Sequence, residues 1–90
     1  MIARRFIVKG RVQGVGFRYF TIRAARAAGV VGSVRNLADG AVEAIAEGTP
    51  AAIRDFRAEL ERGPSHAHVS RVDEIEMQPT GRYKSFEVEY

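Results

Sequence analysis

Apolar and polar residues alternate from Arg5 to Val12, with Phe6 and Val8 on one side and Ile7 and Lys9 on the other, which predicts a strand. The glycine-rich stretch Gly10–Gly16 interrupts that alternation. From Phe17 the period lengthens: Phe17, Phe20, Ala24 and Ala28 fall on one helical face, and Gly29 supplies a C-terminal stop. Val30–Leu37 returns to strand character, Ala38-Asp39-Gly40 marks a tight hairpin turn, and Ala41–Glu47 is the return strand. Thr49-Pro50 opens a second helix, with a hydroxyl N-cap before a proline at the first helical position. Ile53, Phe56 and Leu60 give that helix its apolar stripe, and Gly63-Pro64 ends it. Val69–Met77 and Lys84–Tyr90 are two further strands, separated by a turn around Pro79-Thr80-Gly81.

The order is β-α-β-β-α-β with one additional strand at the C-terminus. It predicts an α+β fold of the ferredoxin-like kind: a two-layer α/β sandwich, its antiparallel sheet covered on one face by two helices, with the last strand at an edge. Right-handed crossovers leave few other arrangements. The third strand then lies between the first and second, antiparallel to both. Strands one and two run parallel, roughly 10 Å apart across two strand spacings. Their C-terminal ends therefore share one end of the sheet, and the glycine loop meets the end of strand two. No repeat, linker or low-complexity tract divides the chain, so residues 1–90 read as a single domain.

Composition narrows the chemistry. A domain of this size buries only about 60–65% of its unfolded surface, so a site formed by a surface loop is expected rather than a tunnel. With no cysteine, disulfides, thiolate nucleophiles and zinc–thiolate sites are excluded. Neither a secretory leader nor a run of about 20 apolar residues is visible, and the reading is a cytoplasmic, monomeric protein without membrane contact. The formal charge is +3 and twelve of fourteen basic residues are arginine, a residue suited to bidentate recognition of phosphate and carboxylate. Most of these arginines read as solvated surface charge.

Arg18 stands apart because of its position. The first turn of a helix carries unpaired N–H groups and a partial positive charge, normally answered by a capping side chain or an acidic residue. Here Val15, Gly16, Phe17 and Tyr19 offer neither, and Arg18 adds a further positive charge. The missing partner is then an anion supplied from outside. Gly14 and Gly16 let the backbone curl so that several N–H groups point into one concavity, and Arg18 adds a fork matched to phosphate oxygens. The spacing is neither that of a Walker P-loop nor that of the dinucleotide fingerprint. Asn36, two residues beyond a core-facing Val34, lies at the end of strand two beside this loop; taken alone it better suits capping of the approaching hairpin turn.

The stretches GRVQGVGFR at residues 10–18 and GSVRNLADGAVEAIAEG at residues 32–48 resemble the two signature segments of the acylphosphatases. The likeness extends through LERGPSHAHV at residues 60–69 to the closing FEVEY. The resemblance implies the ferredoxin-like fold and hydrolysis of the carboxyl–phosphate anhydride of acyl phosphates, with no cofactor and no metal. Carried onto this chain, Arg18 binds the phosphoryl oxygens together with backbone N–H groups of Gln13, Gly14, Val15, Gly16, Phe17 and Arg18, and Asn36 holds the attacking water. The family often has an aromatic residue where this chain has Ser33, which bears on local packing and on acyl preference.

The chemistry asks for little more. A leaving carboxylate has a conjugate-acid pKa of about 4 and departs unprotonated at neutral pH. Phosphoryl transfer then needs positioning and charge stabilisation above all. Other residues read as structural: His66 and His68 lack a third ligand at useful spacing, the five phenylalanines read as core, and Glu43 and Glu47 read as exposed strand positions. RNA binding is disfavoured, because strand three has no aromatic residue to stack a base. The nearer alternative is a non-catalytic phosphate- or carbamoyl-phosphate-binding module of the same fold.

Overall fold

Glycine, proline and one hydroxyl group set the element boundaries. In a computed structural model describing residues 1–90, β1 spans Ile2–Arg11, α1 Phe17–Ala28, β2 Val31–Asn36 and β3 Val42–Gly48. They are followed by α2 at Pro50–Arg62, β4 at His68–Met77 and β5 at Phe86–Val88. Gly29, left-handed at φ 82°, closes α1 with its N–H on Ala25 O. The Thr49 side chain accepts the Ala52 N–H at 3.1 Å at the start of α2.

The strands form one sheet in the order β4-β1-β3-β2-β5. β3 is antiparallel to both β1 and β2, so β1 and β2 are parallel and end on the same side. The sheet is mixed rather than wholly antiparallel, because β5 joins β2 in parallel register, Val34 opposite Val88. β4 and β5 occupy opposite edges, so residues 78–85 must cross the width of the sheet. Four strand spacings make roughly 19 Å, well within the span of about 28 Å available to eight extended residues.

The helices pack on one face. Phe6, Val8, Val34, Val42, Ala44 and Ala46 meet Phe17, Ala24, Ala25, Ile53, Phe56 and Leu60 in a single core cluster. Phe56 sits at its centre, its ring 5.8 Å from Phe6 and 5.6 Å from Phe86. Burying each such ring is worth about 1.5–3 kcal/mol. On α1 the buried stripe is Phe17, Thr21, Ala24 and Ala25 rather than one through Phe20. Thr21 satisfies its hydroxyl on Phe17 O at 2.8 Å, which lets it enter the core, while Phe20 stays half-buried beneath the Arg62 guanidinium.

The opposite face corrects a second expectation. Glu43 and Glu47 are buried, at 4% and 2% exposure, although they point away from the helices. Arg35, directly across from Glu43 on β2, and Arg5 on β1 reach its carboxylate at 2.7 and 2.6 Å and cover it with their stems. Glu47 lies under the crossing segment, accepting Thr80 N–H at 2.8 Å, Thr80 Oγ1–H at 3.0 Å and Gly81 N–H at 3.1 Å. Burial pushes both carboxyls up, but their hydrogen bonds outweigh it and hold both below the usual carboxylate range. No helix is long and apolar enough to cross a membrane.

Candidate active site

A register shift between Lys9 and Gly10 bends the end of β1, while Gly10 and Arg11 stay paired with Val69 and His68 of β4. Val12 nevertheless anchors in the core, 1% exposed, and the chain curls over residues 13–16 into α1. Gly14 and Gly16 take left-handed φ of 74° and 77°, a conformation that costs other residues about 1–2 kcal/mol. Gly16 is the N-cap residue, without any side-chain cap and without an acidic residue in the first turn. The first helical bond runs from Phe20 N–H to Gly16 O, and the N–H groups of residues 13–19 meet no acceptor within the chain. A fan of unpaired donors thus coincides with the positive end of the helix dipole.

Arg18 points into this region free of any carboxylate. Arg4, Arg5, Arg26, Arg35, Arg57, Arg62 and Arg71 each hold an acidic partner. The only group held against the Arg18 guanidinium is the ring of Tyr90, 5.8 Å from its centroid. Asn36 ends β2 on the helix-facing side, exposed, its amide bonded to nothing else in the chain. The hairpin turn beyond it is closed by other groups: Asp39 Oδ1 accepts Ala41 N–H at 3.0 Å, and Leu37 N–H reaches Ala41 O at 2.8 Å. Asn36 is therefore not consumed by turn capping.

Gly14, Gly16, Phe17, Arg18 and Asn36 come together in one open cleft of about 320 Å³. Gln13 and Val15, in the same loop, turn their side chains away from it. Val15 packs against the core. The Gln13 amide donates to Leu37 O at 2.7 Å and to Ala41 O at 2.9 Å, stapling the glycine loop to the hairpin that follows Asn36. Sequence reasoning missed this staple; the glutamine is visible in the motif, but nothing along the chain says which carbonyls its amide meets. It also missed Tyr19, Ile22, Val88 and Tyr90 as walls of the cleft. Ser33 lies on the sheet face away from the helices, 8% exposed, in register with Ile45 and Glu87. Its effect is on packing under residues 82–85 and not on the cleft.

The cleft sets unpaired N–H donors and a guanidinium opposite an uncommitted amide, the kinds of group that small anions and water meet by hydrogen bonding. It holds no histidine or carboxylate side chain for acid–base work, and its floor, Val12 and Phe17, is apolar and buried.

Comparison with known proteins adds an independent line. A family model described as acylphosphatase matches residues 4–88. A protein of Mannheimia succiniciproducens called acylphosphatase is 44% identical over the full length of both chains. The crystal structure of acylphosphatase from Bacillus subtilis superposes with a TM-score of 0.95 at 37% identity, each chain covered completely. The structure of HypF from T. kodakarensis superposes with a TM-score of 0.87 at 34% identity, all of this chain covering 12% of that one.

Proposed function

The chain belongs to the acylphosphatase family, and from that premise we propose that it hydrolyses the carboxyl–phosphate bond of acyl phosphates through the cleft between the glycine loop and β2. The loop N–H groups and the Arg18 guanidinium take the phosphoryl oxygens, meeting charge that spreads over the equatorial positions as the bond breaks. The Asn36 amide oxygen accepts a hydrogen bond from a water and aims its lone pair at phosphorus. The new P–O bond forms as the P–O bond to the acyl group breaks, and the electron pair leaves with the carboxylate. One water proton passes to a phosphoryl oxygen and leaves with inorganic phosphate. The departing carboxylate needs no proton at neutral pH, which matches a cleft lined by neither histidine nor carboxylate side chains.

One observation carries the reading: an arginine without a carboxylate partner, a fan of N–H groups without acceptors and an amide without a partner border the same cleft. A metal has no part in this scheme. The test is hydrolysis of benzoyl phosphate, followed by ultraviolet absorbance with EDTA present, for wild type, Arg18→Ala and Asn36→Ala, each checked for folding by circular dichroism. Loss of Arg18 should cost at least ~10²–10³ in rate, by analogy with removal of an oxyanion donor, and loss of Asn36 should lower kcat more than it raises KM. A folded wild type no faster than buffer would refute hydrolysis and favour a phosphate-binding module; the HypF match shows a domain of this fold making up a small part of a longer protein.

A further inference from the structure

The cleft has two chemically different halves. One half is the polar cradle of glycine-loop N–H groups, Arg18 and Asn36; the other is built from Tyr19, Ile22, Val88 and Tyr90. The second half comes from two separate elements. Tyr19 and Ile22 are three residues apart on α1 and so share a side of that helix. Val88 is opposite Val34 in the parallel β2–β5 pairing. Continuing that register by two residues brings Tyr90 level with Asn36, on the same face by alternation. The Glu89 N–H on Val34 O at 2.8 Å carries the pairing toward that level.

Ile22 and Val88 are partly buried against the core and make a firm floor. Tyr19 and Tyr90 stand as the rim, 67% and 101% exposed, two of only four large apolar residues that the fold leaves on its surface. The other two are elsewhere, Met1 before β1 and Ile75 on the edge strand β4. Exposed aromatic area is thus concentrated beside Arg18, which has no carboxylate partner, and Asn36, whose amide is uncommitted. The volume of about 320 Å³ falls at the lower end of the ~300–1,000 Å³ typical of small-molecule pockets, and a phosphoryl group fills only part of it. A molecule that occupies both halves carries a dianionic phosphoryl end and an apolar end.

Resting on the proposed hydrolysis, we infer that this enzyme selects acyl phosphates with an apolar acyl group, aromatic or of several carbons, and that Tyr19 and Tyr90 determine the preference. The loop encloses the phosphoryl oxygens, and the acyl group lies along Ile22 and Val88 between the two rings. Small polar acyl groups leave this half in contact with water and gain nothing from it.

Hexanoyl phosphate and acetyl phosphate test this directly, because their leaving carboxylates have nearly equal basicity and differ in apolar length. Phosphate release is measured for wild type, Tyr19→Ala, Tyr90→Ala and the double variant; both side chains are exposed, so folding is preserved. Wild type should favour hexanoyl phosphate by about tenfold in kcat/KM, from partial burial of four methylenes. The double variant should lose most of that preference, chiefly through a higher KM for hexanoyl phosphate, so that the ratio of the two kcat/KM values falls toward one. Equal kcat/KM for both substrates in wild type would overturn the inference while leaving the hydrolysis intact. So would an equal fall for both substrates in the variants, which would mean that Tyr90 serves only to hold Arg18. If neither substrate is hydrolysed faster than in buffer, the proposed function itself fails, and the acyl preference with it.

Discussion

Replacing Gln13 by alanine removes the two hydrogen bonds that tie the glycine loop to the hairpin carrying Asn36. Each neutral bond contributes about 0.5–1.5 kcal/mol net. Both carbonyls keep a second donor: Gly40 N–H remains on Leu37 O and Leu37 N–H on Ala41 O. No acceptor is orphaned, and the loss should stay at about 1–2 kcal/mol. In a domain of this size that lowers the melting temperature by about 5–15 °C. Activity should suffer in a particular way. The phosphoryl cradle is made of loop N–H groups and Arg18, all retained, so KM for benzoyl phosphate should change by less than about threefold. What slackens is the placement of Asn36 against that cradle, and a misplacement near 1 Å can cost about 10²-fold in rate. The expected result is a kcat reduced about 10–100-fold, read below the melting transition of the variant. Gln13→Glu should be worse in both respects, since it turns a carboxylate toward two carbonyls and sets a negative charge beside a site for a dianion. Unchanged kcat in a Gln13→Ala protein that melts at the lowered temperature would refute the argument: the staple would then serve stability alone.

Glu47 should make stability depend on acid. Its folded-state pKa is lowered, so its contribution is complete above the ordinary carboxyl range and is lost as pH falls through the folded value. The melting-temperature gap between wild type and Glu47→Gln should accordingly be wide at pH 7 and narrow progressively below about pH 4.5; a constant gap would contradict the assignment. Gly32→Ala should be severe, because a Cβ there would lie 1.8 Å from Ile45 O, whereas Gly81→Ala meets no atom within 4 Å and pays only for its φ of 69°. Urea denaturation should give a loss of more than ~3 kcal/mol for the first and about 1–2 kcal/mol for the second, and equal losses would mean that the strands part more easily than their packing implies.

Much of the fold was legible from local signals. The stop at Gly29, the cap at Thr49 and the stripe Ile53-Phe56-Leu60 act over three or four residues, and the periods of helix and strand are properties of neighbouring positions. The anomaly at the start of α1 was legible for the same reason: a helix opening on Gly16 and Arg18 with no acid in its first turn is a local statement about charge. Right-handed connection then sufficed to bring Asn36 beside it.

What the tertiary structure decided depends on residues far apart in the chain. Glu43 and Glu47 alternate with Val42, Ala44 and Ala46 as an exposed face would, yet they are buried by Arg5, Arg35 and residues 80–81, which the pattern of β3 does not encode. The parallel placement of β5 follows from the crossing of residues 78–85, and that placement brings Tyr90 to the cleft. Gln13 has an amide in any reading; only the approach of the hairpin supplies its two carbonyls. Periodicity specifies which side of an element is apolar. Which partner covers that side, and which polar group it completes, is set by long-range pairing and by the path of the chain between sheet edges.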